Sequence, residues 1–161
     1  MQSKDVHVVY HAYDRAEELP PADAALLDAA RGATARSYAP YSRFRVGAAA
    51  LLKDGSVVTG SNQENASFPV GICAERVLLS AVASLHPGEP VVTLAVSYIN
   101  EDGPSGTPIT PCGICRQSLA EYQSRTGTAI RLVLGGQSGP VWVIDDAGAL
   151  LPLGFSSGDM G

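Results

Sequence analysis

Cys73-Ala74-Glu75-Arg76-Val77-Leu78-Leu79 and, further along, Pro111-Cys112-Gly113-Ile114-Cys115-Arg116-Gln117 are the stretches on which this chain turns. In each, a cysteine stands where a turn-rich loop passes into residues with helical periodicity. All three cysteines of the chain lie in these two segments. Cys115 sits one turn beyond Cys112, on the same helix face. Helix N-termini carry partial positive charge, which favours thiolate over thiol. Two such ends aimed at one spot would make a preformed site for a divalent cation. Three protein ligands leave a fourth tetrahedral position open, which is the arrangement of a catalytic zinc (Zn2+) rather than a structural one. Glu75, in the first turn after Cys73, is then placed to act as general acid and base for a metal-bound water.

Working outward, residues 73–85 and 112–125 read as two helices. The first stops before Pro87-Gly88. Residues 91–99 between them form a strand, and residues 100–110 a Gly/Pro/Ser loop. Upstream, residues 45–53 and 56–60 are strands joined at Asp54-Gly55, a strong hairpin turn. Residues 62–72 are a turn-rich loop. An Ala/Leu-rich stretch opened by Pro20-Pro21 predicts a helix to about residue 37. Downstream, residues 130–135 and 141–145 are strands, and the tail from Leu150 is irregular. Residues 1–20 read as an N-terminal extension whose alternating patch at residues 6–10 allows one edge strand; residues 21–161 form the catalytic domain. The order predicts an α/β fold, a three-layer α-β-α sandwich around a five-stranded mixed sheet.

Other uses of a C-x-x-C pair fit less well. Half of a four-ligand structural zinc site would need a fourth ligand, and His7, His11 and His86 have no finger-type spacing. A redox pair leaves Cys73 and Glu75 without a role. Arg76 taken alone is an ordinary helix-surface charge. Beside the cluster it gains another role. Zinc with three thiolates carries a net charge of about −1, which weakens its pull on a water proton. A neighbouring guanidinium withdraws some of that charge.

Composition limits the partners. With 11 Lys and Arg against 16 Asp and Glu, the chain carries −5, which argues against a surface that coats nucleic-acid phosphates. No apolar run is long enough to span a membrane. The opening Met1-Gln2-Ser3-Lys4-Asp5 lacks the apolar core of a signal peptide. Thiolate ligands need reduced sulfur, so a cytoplasmic location is expected.

The paired segments match the zinc-deaminase signature H-x-E…P-C-x-x-C in its three-cysteine variant. From about Asp23 onward the chain resembles the small, homotetrameric cytidine deaminases. The stretch from Tyr38-Ala39-Pro40-Tyr41 to Gly47-Ala48-Ala49 is similar to the family's segment before its hairpin. Gly60-Ser61-Asn62-Gln63-Glu64-Asn65-Ala66 is similar to its ribose-binding segment, and Leu150-Leu151-Pro152 with Phe155 to its C-terminal signature. The resemblance implies zinc held by Cys73, Cys112 and Cys115, with Glu75 moving protons. It implies that Asn62 and Glu64 bind ribose hydroxyls, Phe44 packs on the pyrimidine, Ala66 meets the base through its backbone, and Phe155 reaches a neighbouring subunit's site. The implied reaction is hydrolysis of cytidine and deoxycytidine to uridine and deoxyuridine, with release of ammonia, in pyrimidine salvage. Other readings are deamination of another cytosine nucleoside, such as a blasticidin-type antibiotic, and a catalytically silent zinc-bound assembly module. Asn62 and Glu64 argue for an unmodified ribose, and the intact Glu75 against a silent module. The chain departs from the family at Phe68, where Tyr is common, at Val77 for Thr, and at Ile114 for Ala.

Overall fold

In the computed structural model, which describes residues 1–161, the Ala/Leu-rich stretch forms α1 (Pro21–Ala33), closed by a 3-10 turn over Thr34–Arg36. Pro21 opens it at a position where the missing N–H has no intrahelical partner to lose. The hairpin follows as β2 (Phe44–Leu52) and β3 (Val57–Ser61). At its turn Gly55 takes φ 89°, a conformation open to glycine at little cost, and Asp54 accepts the Ser56 amide at 2.8 Å. Then come α2 (Ala74–Leu85), β4 (Val91–Asn100), α3 (Gly113–Thr126), β5 (Arg131–Gly135) and β6 (Val141–Ile144).

The sheet has six strands rather than the five expected. The additional one, β1 (His11–Tyr13), gives the order β1-β6-β5-β4-β2-β3. The apolar patch at residues 6–10 is not the strand; pairing begins one residue later, with His11 opposite Val143 and Tyr13 opposite Val141. Two local interactions hold it there. Tyr13 packs against the apolar layer under α1, and His11 Nε2 lies 3.2 Å from Asp145. Without β1, β6 would be an uncovered sheet edge.

Strands β4 and β5 run parallel, joined across α3; every other neighbouring pair is antiparallel. Side chains alternate across the sheet, and the small run Ala48-Ala49-Ala50 in β2 lets helices approach both faces. On one face α1 buries Leu27 and Ala30 against Ala49, Ala95 and Val133. On the other, α2 and α3 bury Leu78, Val82 and Leu119 against Ala48, Val96 and Leu134. Each fully buried leucine contributes roughly 1.5–3 kcal/mol of transfer free energy. This is the expected three-layer sandwich. It sets α2 and α3 side by side on one face.

Candidate active site

Cys73 and Cys112 occupy equivalent positions. Each is the residue just before its helix, with extended backbone (φ −69°, ψ 153° and φ −68°, ψ 169°), and each carbonyl already accepts helical amides. Arg76 and Val77 donate to Cys73, and Arg116 donates to Cys112. Cys115 lies in the first turn of α3 and is fully buried. The fold brings the three sulfurs together: Cys73 Sγ is 3.8 Å from Cys112 Sγ, Cys112 Sγ is 3.6 Å from Cys115 Sγ, and all three lie within 4.8 Å of one another. Zinc–sulfur bonds of about 2.3 Å in tetrahedral geometry put sulfurs about 3.8 Å apart. A disulfide would need about 2.05 Å. The donor set and its spacing therefore fit zinc.

The thiols share their protons unevenly. The Cys73 pKa is lowered to about 6, chiefly by the hydrogen bond with Cys115 and further by Cys112 and the Arg76 charge, against burial and the Glu75 charge. The same hydrogen bond holds the Cys115 thiol up, helped by burial and by Glu75. Glu75 is buried, with 5% of its surface exposed. Burial pushes its carboxyl up, while its own amide and the Cys115 thiol draw it partly back.

Gly60 is what lets α2 begin where it does. A Cβ on Gly60 would lie 2.7 Å from both the Ala74 carbonyl and the Leu78 amide, so only a glycine allows β3 to run against the first turn of α2.

A cavity of about 310 Å³ opens beside the cluster, lined by Val46, Asn62, Glu64, Phe68, Cys73, Glu75 and Cys112 among others. That volume lies within the range of small-molecule sites. A second cavity of about 350 Å³ shares Glu64 and Phe68 and adds Tyr41 and Ser42. The Asn62 side chain is largely engaged by its own chain. Its oxygen accepts from the Val46 amide at 2.8 Å and from the Ser37 hydroxyl, and its nitrogen donates to the Phe44 carbonyl at 2.9 Å. One amide hydrogen is left for a ligand. Glu64 accepts the Tyr41 and Ser42 amides on one oxygen, which leaves the other open. Burial raises the Glu64 pKa, but the bonds from Ser42 and Tyr41 outweigh it, so the carboxyl stays below its ordinary value.

The other predicted site residues lie apart from this lining. The Phe44 ring stacks on Tyr98, with centroids 4.7 Å apart and planes 14° from parallel. Ala66 is exposed on the loop before α2. Phe155 is exposed in the tail, its carbonyl accepting from Gln117 Nε2 at 2.9 Å. Arg76 hydrogen-bonds no sulfur; it acts on Cys73 through its charge, and its side chain lines a groove between α2 and α3 with Glu121 and Arg125.

Sequence reasoning passed over Arg116. Its Nε donates to the Pro111 carbonyl at 2.8 Å, Nη2 to the Thr110 hydroxyl at 3.2 Å, and Nη1 to the Leu150 carbonyl at 3.2 Å. A signal was present: a cation in the first turn of a helix opposes the helix dipole, so a compensating interaction is to be sought.

The family model for the cytidine and deoxycytidylate deaminase zinc-binding region matches residues 20–129. The cytidine deaminase of Halalkalibacterium halodurans is 41% identical over 124 residues, which cover 77% of this chain and 86% of that protein. The crystal structure of cytidine deaminase from Burkholderia pseudomallei superposes with a TM-score of 0.70 at 41% identity, covering 81% of this chain and 97% of that one. The cytidine deaminase of Mycobacterium tuberculosis superposes with a TM-score of 0.62 at 33% identity, covering 81% and 94%.

Proposed function

The chain belongs to the cytidine and deoxycytidylate deaminase family, and on that premise we propose that it hydrolyses cytidine and deoxycytidine to uridine and deoxyuridine, releasing ammonia. The observation that carries this reading is the buried Glu75 beside three sulfurs at zinc spacing, on the wall of a cavity of nucleoside size. Cys73, Cys112 and Cys115 would hold zinc, which when bound would supply a water that ionises near neutral pH. Glu75 takes that water's proton and delivers it to N3 of the pyrimidine as oxygen adds at C4. It would then take the remaining proton from the hydroxyl added at C4 and pass it to the exocyclic amine, which leaves as ammonia as the C4 carbonyl forms. Burial favours this two-way traffic, because a raised carboxyl pKa brings its acid and base forms closer to balance at neutral pH. The remaining amide hydrogen of Asn62 and the open oxygen of Glu64 pair as donor and acceptor for ribose hydroxyls.

Three further site residues belong to the proposal. Phe44, already stacked on Tyr98, meets the pyrimidine ring. Ala66 meets the base through its backbone. Phe155 completes the site of a neighbouring subunit in a homotetramer. Exposed apolar side chains near the cluster and in the tail support that assembly: Phe68, Val70, Ile114, Leu153 and Phe155. Mixing Glu75→Gln with Phe155→Ala under subunit exchange tests it: shared sites partly restore activity. A monomer by light scattering, or no rescue despite demonstrated exchange, counts against it.

Residues 21–161 are proposed as the catalytic domain, with residues 1–20 an extension. The need for reduced thiols supports a cytoplasmic location, and the proposed reaction would serve pyrimidine salvage. No helix is long and apolar enough to cross a membrane. The reaction is tested by incubating zinc-loaded protein with cytidine and deoxycytidine and following the ultraviolet change to uridine and deoxyuridine. Both spectra are expected to shift; unchanged spectra would defeat the reading.

A further inference from the structure

We infer that Arg116 is a positioning residue for the zinc centre: it fixes the direction in which Cys112 presents its sulfur and ties that ligand to the C-terminal tail. Cys112 is exposed, and so are Gly113 and Ile114 after it, so packing does little to orient them. Hydrogen bonds do it instead. The Pro111 carbonyl belongs to the peptide plane before Cys112 and accepts from Arg116 Nε at 2.8 Å. The Cys112 carbonyl belongs to the plane after it and accepts from the Arg116 amide at 2.9 Å. One residue therefore pins both planes that flank the Cys112 Cα. With both planes fixed, the Cα–Cβ bond has one direction. Nη2 secures the preceding loop at Thr110, and Nη1 reaches the Leu150 carbonyl at the start of the tail. The next residue, Gln117, holds the Phe155 carbonyl. The first turn of α3 thus sets a metal ligand and anchors the tail together.

The form of the side chain matters as much as its charge. Arg116 makes no ion pair; all three side-chain acceptors are neutral and come from two separate segments. A planar guanidinium brings three separated nitrogens to these acceptors in one fixed fork, whereas an ammonium offers its three donors from a single nitrogen on a flexible stem. This separates Arg116 from Arg76, which acts on Cys73 through charge.

The inference rests on the deaminase reading only through the zinc site. It is tested by competing a chromophoric chelator for zinc, with no substrate present, in wild type, Arg116→Lys and Arg116→Gln. Both variants are expected to hold zinc about 10–100-fold more weakly. Hydrogen exchange at residues 151–155 is expected to quicken. A role in charge alone leaves the lysine variant like wild type. A role in stability alone lowers the melting temperature and leaves zinc affinity unchanged. Either result overturns the inference, as does a wild type that binds no zinc. If neither variant folds, Thr110→Val decides: it removes one acceptor at an exposed side chain. Zinc held about two- to fivefold more weakly supports the inference, and unchanged affinity overturns it. A wild type that binds zinc but leaves cytidine unaltered defeats the functional reading alone and leaves this test intact.

Discussion

The starts of α2 and α3 carry the same ligand at the same position, yet different forces hold them. At α2, Ala74 and Leu78 are fully buried, and the helix lies so close to β3 that Gly60 has no room for a Cβ. At α3, Cys112, Gly113 and Ile114 face solvent, and Arg116 hydrogen-bonds the backbone into place. Close packing is stiff and does not depend on the ligand. Hydrogen bonds at an exposed helix start are worth about 0.5–1.5 kcal/mol each and share their work with whatever the sulfurs bind. The proton carrier, Glu75, sits on the packed side, where burial can raise its pKa. Cys112, on the other side, is the most exposed of the three cysteines.

The largest expected effect tests the packed side. Glu75→Gln keeps the shape and the zinc but cannot carry a proton, so the rate should fall by at least about 10²–10⁴-fold. A variant retaining a tenth of the wild-type rate contradicts the role. Arg76→Gln comes next. Removing the charge beside Cys73 should cost about 10–100-fold in zinc affinity or turnover, less than losing a ligand. If both stay unchanged, Arg76 is an ordinary surface charge.

Gly60→Ala forces a Cβ onto the backbone of α2 and should lower stability by about 1–3 kcal/mol in thermal melts. An unchanged melting temperature would show that α2 yields easily and would dissolve the contrast. Stripping zinc with a chelator probes the same difference from the ligand's side. Exchange at the Arg116 amide, which donates to Cys112, should rise by roughly tenfold, an opening cheaper by about 1.4 kcal/mol, while the Val77 amide, which donates to Cys73, stays protected. Equal loosening at both starts would show that zinc supports α2 as much as α3. The smallest expected effect carries the opposite sign to Gly60→Ala. A Cβ on Gly113 meets nothing within 4 Å, so Gly113→Ala should raise stability by up to about 1 kcal/mol. A loss there instead would show that the open start of α3 is constrained in some other way.

The helices, the hairpin and the cluster were legible because their signals are local. The apolar spacing after Cys73 has a helical period, and Asp54-Gly55 is a turn wherever it occurs. The sixth strand was not. At three residues β1 is too short to show a period, and a more apolar alternating patch lies just before it. The placing of Phe44 was hidden for another reason: its partner Tyr98 lies on β4, and they meet because Val46 on β2 is in register with Tyr98. Arg116 escaped because two of its acceptors are backbone carbonyls, which every residue has, so no pattern of residue types marks them.

By itself the sequence determined the chemistry: three sulfurs, one carboxylate two residues after the first of them, and the helix starts that favour thiolate. Those depend on residue identity and on spacings of a few positions, which helical geometry converts directly into direction. Tertiary structure alone decided that Cys73 and Cys112, 39 positions apart, come within 3.8 Å. That follows from α2 and α3 packing side by side on one sheet face, with α3 the crossover between the parallel strands β4 and β5. Tertiary structure also decided which force holds each ligand, because a missing Cβ against a neighbouring backbone and a guanidinium reaching carbonyls of other segments exist only once the chain has folded.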